Sequence, residues 1–445
     1  MSDVLSLTES VCPVCLRKVE AARTITGDEV AIEGRCAEHG PWRTPVWRGL
    51  PSLQEWELSA AHGCLGGRLR TGGQPDGRDC PTQCGLCARH EQDTCTAVVE
   101  VTRRCNLGCP VCFAESTPDV QAPDPQLDQL EALFRELFLT SGPVNVQLSG
   151  GEPTTREDLP AVVARAAGAG FTFLQLNTNG LRLAVEPGYA QTLREAGLDS
   201  VFLQFDGLAE GTWRSIRGRA LFDEKRKALD RCAGAGLAVV LVPTVVSGVN
   251  DEELGTILTF AAEWSPVVRG VHIQPVSRVG RYPVDARGRL TLPEVLRALE
   301  EQTEGQVRAT DFRPSSCEHA WCSFRGRFWV RPGGLLQAME AAPTSACEPL
   351  HPGEAARCAV TATRRQWGPS SPRGPAEPLD ELDRFLADSD RILTVSGMLF
   401  QDAWNLDLER VRRCCVHAVV PGTGLVPLCL WNLTSATGQR LYPRC

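Results

Sequence analysis

Between residues 97 and 309 the chain repeats one pattern six times: a short apolar run of strand length, then a longer amphipathic or alanine-rich stretch of helix length. The runs are residues 97–101, 144–148, 172–176, 201–205, 238–242 and 270–273, and the helical stretches are 126–138, 159–169, 190–196, 222–235, 251–264 and 293–301. A strand that alternates with a helix returns beside its predecessor by a right-handed crossover, so the pattern dictates an α/β fold with a parallel sheet covered by helices. Six such units make a partial (β/α)6 barrel, whose working residues belong at the C-terminal ends of the strands.

Directly after the first run comes Cys105-Asn-Leu-Gly-Cys109-Pro-Val-Cys112-Phe113. A loop of that length can turn three thiolates onto one small metal cluster, whereas a complete four-iron cluster takes four protein ligands. One iron is then left open for a substrate or cofactor, as in a catalytic rather than a structural metal site. A zinc knuckle or a closed ferredoxin-type cluster would use similar cysteines. The turn after the second run, Ser149-Gly150-Gly151-Glu152-Pro153, argues against both, because its glycines expose backbone and Glu152 supplies an acceptor for an ammonium.

Together these strings resemble the radical SAM superfamily. The resemblance implies that Cys105, Cys109 and Cys112 hold a [4Fe-4S] cluster whose open iron is chelated by S-adenosylmethionine, with one electron cleaving the sulfonium to a 5'-deoxyadenosyl radical. It implies that Gly150, Gly151 and Glu152 bind the amino group of S-adenosylmethionine. Asn177 after the third strand and Asp206 after the fourth would approach its ribose and carboxylate, and Gln274 after the sixth, with Phe113, its adenine. Asn250 or Asp251 reads instead as the N-cap of the next helix.

The 20 cysteines lie mostly in tight clusters, the pattern of metal ligands in a reducing cytoplasm rather than of disulfides. Cys12, Cys15, Cys36 and His39 flank a hairpin around Gly27 and Asp28, and suit a mononuclear zinc or rubredoxin-like iron in a segment too small for a core of its own. Cys80, Cys84, Cys87 and Cys95 could close a second iron–sulfur site or share ligands with the first segment. Cys317, Cys322, Cys414 and Cys429 would make a further four-thiolate auxiliary cluster, with His319 or His417 able to replace one ligand. Cys64, Cys232, Cys347, Cys358, Cys415 and Cys445 read as spare thiols. The expected domains are 1–63, the metal knuckle; 64–96, a Gly-rich connector and cysteine cluster; 97–309, the barrel; and 310–445, a C-terminal auxiliary-cluster and substrate domain.

The strings around Cys80 to Cys95, Glu100 to Ala114 and Ser396 to Cys414 are similar to one subgroup, the tetraether lipid synthases and the methyltransferases that act on the pterin of methanogen cofactors. That subgroup implies an N-terminal rubredoxin-like site and extra four-iron clusters. The expected activity is hydrogen abstraction from an unactivated carbon followed by carbon–carbon bond formation, by alkyl coupling or methylation, on a lipid-like or small-molecule substrate. Alternatives are radical modification of a peptide or natural product, and a non-catalytic iron–sulfur redox sensor. A ferredoxin or flavodoxin would supply the electron. A net charge of −8 gives no reason to expect nucleic acid. The arginines in 214–219 and 410–413 read as solvated faces. No apolar run of about 18 residues is present for a transmembrane helix, and the N-terminus has no signal-peptide pattern.

Overall fold

All six expected strands form and pair in parallel. In the computed structural model, which describes residues 2–61, 79–120, 123–282, 288–315, 317–339, 352–369 and 391–443, they follow a four-stranded N-terminal sheet and one helix. That first part comprises β1 (Asp3–Val11), β2 (Lys18–Thr26), β3 (Glu29–Cys36), β4 (Gly40–Arg48) and α1 (Leu53–Ala61). The barrel elements are β5 (Thr96–Thr102), α2 (Leu127–Ser141), β6 (Asn145–Gly150), α3 (Leu159–Gly168), β7 (Leu174–Thr178), α4 (Leu181–Val185), α5 (Tyr189–Ala196), β8 (Ser200–Gln204), α6 (Glu210–Arg217), α7 (Phe222–Gly234), β9 (Ala238–Val242), β10 (Thr244–Val245), α8 (Leu254–Glu263), β11 (Val268–Pro275) and α9 (Leu292–Gln302). Cys64, Cys347, Cys445 and nearly all of the Gly-rich connector lie outside the described residues.

Side chains of a strand alternate between faces. On β5, Ala97, Val99 and Val101 join the core beneath the helices, while Thr96, Val98 and Glu100 face the barrel lumen. The same alternation puts Gln147 and Ser149 of β6, Phe202 and Gln204 of β8, and His272 and Gln274 of β11 in the lumen.

The C-terminal third is not a separate domain. It supplies β12 (Ser323–Val330), β13 (Leu336–Ala338), α10 (Pro352–Trp367), β14 (Ile392–Met398), β15 (Val416–Val420) and β16 (Gly424–Pro427). β14 pairs in parallel with β11 and β15 in parallel with β5, so six parallel strands become eight, in the order β15-β5-β6-β7-β8-β9-β11-β14. β12, β13 and β16 extend the two edges in antiparallel fashion. Helix α10 lies against β6, β9 and β11, and its Trp367 ring packs on Phe202 and His272 with centroids 5.5 Å from each. Trp367 stands beside Gly270 near the start of β11, so α10 floors the lumen at the end away from the strand C-termini.

The N-terminal sheet docks on this extension. Arg23 donates to Asp407 at 2.8 Å and Glu409 at 2.6 Å, and Trp56 Nε1 donates to Ala320 O at 2.9 Å.

Candidate active site

The C-terminal ends of the strands open on one cavity of about 450 Å³. Cys105, Cys109, Cys112, Phe113, Gly150, Gly151, Glu152, Asn177 and Gln274 all line it. The two glycines are there because backbone leaves no room for a side chain. A Cβ on Gly150 would fall 2.1 Å from Thr102 O, and one on Gly151 2.1 Å from Arg104 O. That close approach lets Gly151 N donate to Thr102 O at 2.9 Å and Glu152 N to Arg104 O at 2.8 Å, which ties the glycine–glutamate turn to the lead-in of the cysteine loop.

Glu152 is 1 % exposed. Its Oε1 accepts from Thr154 N (3.1 Å), Thr154 Oγ1 (2.6 Å) and Thr178 Oγ1 (2.6 Å), and its Oε2 from Asn179 N (2.6 Å). Oε2 therefore keeps acceptor capacity for a further donor. Asn179 Nδ2 in turn donates to Asn106 Oδ1 inside the cysteine loop at 2.7 Å.

Two arginines hold that loop from the other side, and neither was legible as functional. Arg217 donates to Val111 O at 3.0 Å; Arg281 donates from Nε to Cys109 O at 2.9 Å and from Nη2 to Ser116 O at 2.8 Å. Reading 214–219 as a solvated face was wrong for Arg217, which is 6 % exposed and lines the cavity. Burial would drive its pKa down, but the Asp206 carboxylate at 2.6 and 2.7 Å holds it above the ordinary guanidinium value. The place of Asp206 also differs from expectation. Fully buried, with Arg217 and Thr244 N on its oxygens, it stands behind the wall and fixes Arg217 instead of facing a ligand. Nor is Asn250 a helix cap: it is fully buried, accepting from Val246 N and donating to Asp206 O and Thr244 O, and α8 starts from Glu253.

At the N-terminus Cys12, Cys15, Cys36 and His39 converge with their ligand atoms all within 4.8 Å of one another. Cys12 Sγ is 3.6 Å and Cys36 Sγ 3.4 Å from His39 Nδ1, and Cys15 and Cys36 are 3.9 Å apart. Sulfurs on a tetrahedral ion with ~2.3 Å bonds stand about 3.8 Å apart, so the set fits a single zinc-sized ion. The hydrogen bond from His39 draws the Cys36 thiol down to about 6. Cys105, Cys109 and Cys112 all present thiols to the cavity. Burial pushes the Cys105 thiol up to about 12.

Comparison with known proteins places this geometry. Residues 99–261 match the model of the radical SAM superfamily, and residues 4–48 that of the HMPTM N-terminal zinc ribbon domain. The chain is 31% identical to the 7,8-dihydro-6-hydroxymethylpterin dimethyltransferase of Methanocaldococcus jannaschii over 96% of this chain and 93% of that protein. It belongs to the radical SAM superfamily, in the family of that dimethyltransferase. The GTP 3',8-cyclase of Chlorobaculum tepidum is 32% identical over 46% of this chain and 63% of its own length. Streptococcus suis SuiB bound to S-adenosylmethionine is similar over 48% of each chain, at 16% identity and a TM-score of 0.41.

The superfamily implies a [4Fe-4S] cluster and S-adenosylmethionine, and the three cavity thiols beside Glu152 fit them. The remaining cysteines of this radical SAM enzyme sort differently from their sequence grouping. Cys95 leaves Cys80, Cys84 and Cys87 and joins Cys317 and Cys415, the three sulfurs lying within 4.8 Å of one another and all buried. Cys415, read as spare, is 2.9 Å from Cys95, and Glu318 Oε2 is 3.6 Å from Cys415. Cys322, Cys414 and Cys429 are near enough to raise one another's pKa, with Arg410 beside Cys322 and Cys429. Arg410 is 3 % exposed and approaches Cys322 Sγ at 3.4 Å, so it too is no solvated residue. His417 has both ring nitrogens engaged, by Thr94 Oγ1 at 3.0 Å and by His90 at 3.2 Å, while His319 Nδ1 accepts from Trp321 N at 3.3 Å. Cys232 is buried and Cys358 exposed. No helix among the described residues is long and apolar enough to cross a membrane.

Proposed function

We propose that this enzyme is a radical SAM C-methyltransferase acting on a small polar heterocycle of the dihydropterin class. The observation that carries the substrate reading is the lumen wall. Among mostly apolar side chains, Gln147, Gln204, Gln366 and Ser396 put amides and a hydroxyl on the cavity wall, donors and acceptors that suit a flat, nitrogen-rich ring. The methanococcal relative is named for 7,8-dihydro-6-hydroxymethylpterin, a compound with that chemistry.

When bound, the cluster and S-adenosylmethionine supply a 5'-deoxyadenosyl radical. Cys105, Cys109 and Cys112 hold the cluster, and the open acceptor capacity of Glu152 Oε2 receives the ammonium of S-adenosylmethionine. Arg217, kept charged by Asp206, puts a positive charge in the wall for its carboxylate, while Phe113, Asn177 and Gln274 take the nucleoside. His272, whose burial lowers its pKa to about 4, is neutral on the aromatic floor with Nδ1 2.9 Å from Ser396 Oγ. There it orients the ring without placing a charge against it. Helix α10 excludes water from the floor, which protects an abstracted carbon from side reactions.

The zinc ribbon carries one zinc-sized ion on Cys12, Cys15, Cys36 and His39. Cys80, Cys84 and Cys87 hold an auxiliary iron–sulfur cluster, and Cys95, Cys317 and Cys415 a further metal centre in the cavity wall. A flavodoxin- or ferredoxin-type protein donates the electron.

The test is anaerobic turnover of reconstituted full chain with dithionite and S-adenosylmethionine. The expected result is 5'-deoxyadenosine formed faster with 7,8-dihydro-6-hydroxymethylpterin than without it and, when a one-carbon donor is also supplied, a product heavier by one or two methyl groups. Equal 5'-deoxyadenosine with and without the pterin, and stimulation by an isoprenoid lipid instead, overturns the substrate reading.

A further inference from the structure

Lys225, on α7, has 0 % exposure and takes no part in the chemistry above. Its Nζ donates to Asn179 O at 2.5 Å, lies 3.4 Å from Gln204 Oε1, and stands 5.2 Å from the centroid of the Trp213 ring. Burying an ammonium is costly, and here burial lowers its pKa to about 8 although Asp206 opposes the shift. An apolar side chain of equal length would fill the space without that cost, so packing gives no reason for a lysine.

We propose that Lys225 is a positioning residue for S-adenosylmethionine, holding Asn179 so that its N–H aims the Glu152 carboxylate at the ligand's ammonium. Three of the four protein donors to Glu152 fall on Oε1, and Asn179 N alone, among the described residues, sets the direction of Oε2. Asn179 precedes Gly180, whose φ of +76° is a left-handed turn. Gly180 N donates to Thr178 Oγ1 and Leu181 N to Asn179 Oδ1, each at 3.0 Å, and the lysine holds the same turn on the carbonyl side. The Asn179 side chain extends the same restraint to Asn106, so one cation braces the glutamate and the cysteine loop together.

This inference rests on the assignment of Glu152 to the ammonium and not on the pterin. It is tested by calorimetric titration of anaerobically reconstituted wild-type, Lys225→Met and Lys225→Gln full chain. The two ligands are S-adenosylmethionine and its analogue lacking the α-amino group. Wild type prefers S-adenosylmethionine. In Lys225→Met its affinity falls about tenfold, the size of one charged hydrogen bond lost at one remove. Affinity for the analogue, iron content and the unfolding midpoint hold, and Lys225→Gln falls between. Equal loss of both ligands, or a preference that survives in both variants, overturns the role of Lys225 alone. If Lys225→Met takes up no iron, Lys225→Gln decides on the same criterion. A wild type with no preference overturns the Glu152 assignment and this inference with it.

Discussion

Gly151 shows how little freedom the site leaves a single residue. A methyl group there meets main chain, the Arg104 carbonyl at 2.1 Å, and main chain cannot swing aside as a flexible side chain would. Gly151→Ala is therefore expected to displace the hydrogen bond from Glu152 N to Arg104 O. Binding of S-adenosylmethionine should fall below detection by calorimetry, while iron content drops by half or less; unchanged binding would show that the turn is not fixed from behind. Asp206 illustrates the electrostatic counterpart. With Asp206→Asn the Arg217 guanidinium stays buried without its counter-charge, and breaking a buried pair on one side costs about 3–5 kcal/mol. Chemical denaturation should show a loss of that order. The double variant Asp206→Asn, Arg217→Met should recover much of the stability but none of the affinity for S-adenosylmethionine. Arg217 and Arg281 were illegible in the sequence for one reason: each works through main-chain carbonyls of a loop more than a hundred residues away, which leaves no local motif.

At the scale of elements, the strands from 97 to 275 were legible because their outward faces are uniformly apolar. Val99, Leu148, Leu176, Val201, Leu241 and Ile273 all lie in the helix-covered core. The C-terminal strands were not. Ile392–Met398 contains Thr394, Ser396 and Gly397, and Val416–Val420 begins beside two cysteines that draw attention to metal chemistry instead. What makes them strands is a parallel neighbour on the barrel edge, a tertiary effect that overrides local propensity. Helix α10 has a functional consequence of the same kind. Removing its indole with Trp367→Ala opens the floor under Phe202 and His272. The expected outcome is uncoupling: 5'-deoxyadenosine release from S-adenosylmethionine persists within about twofold, while methylated product falls about tenfold or more, the pattern of a residue that shapes the substrate site and not the cofactor site. Equal loss of both, followed by chromatography of the two products from one reaction, would place Trp367 in the general fold instead.

For the molecule as a whole, sequence proximity was a poor guide to which thiols lie together, because the barrel closes on itself. β15 lies beside β5, and Cys95 N and Thr96 N both donate to Cys415 O, so a cysteine before the first barrel strand meets one before the last parallel strand. Cys317 reaches the same place from the segment preceding β12, and its carbonyl accepts from Gln92 at 2.9 Å. Three chain segments thus converge on one buried set, of which local spacing assigned Cys95 and Cys317 to two different sets and left Cys415 spare. Cys80, Cys84 and Cys87 stay together because one short loop carries them, braced by Tyr442, whose hydroxyl donates to Pro81 O and accepts from Cys84 N. The partition makes a quantitative prediction. Cys95→Ala and Cys317→Ala should each remove the same complement of metal per chain, and the pair together no more than either alone, because both act on one centre. Cys84→Ala should remove a different complement, additive with theirs. The sequence-based grouping predicts the reverse, with Cys95 and Cys84 non-additive and Cys95 and Cys317 additive. Metal analysis by mass spectrometry on anaerobically purified single and double variants separates the two partitions. The metal of the N-terminal ribbon serves as the internal standard, since Cys12, Cys15, Cys36 and His39 are untouched by any of these substitutions.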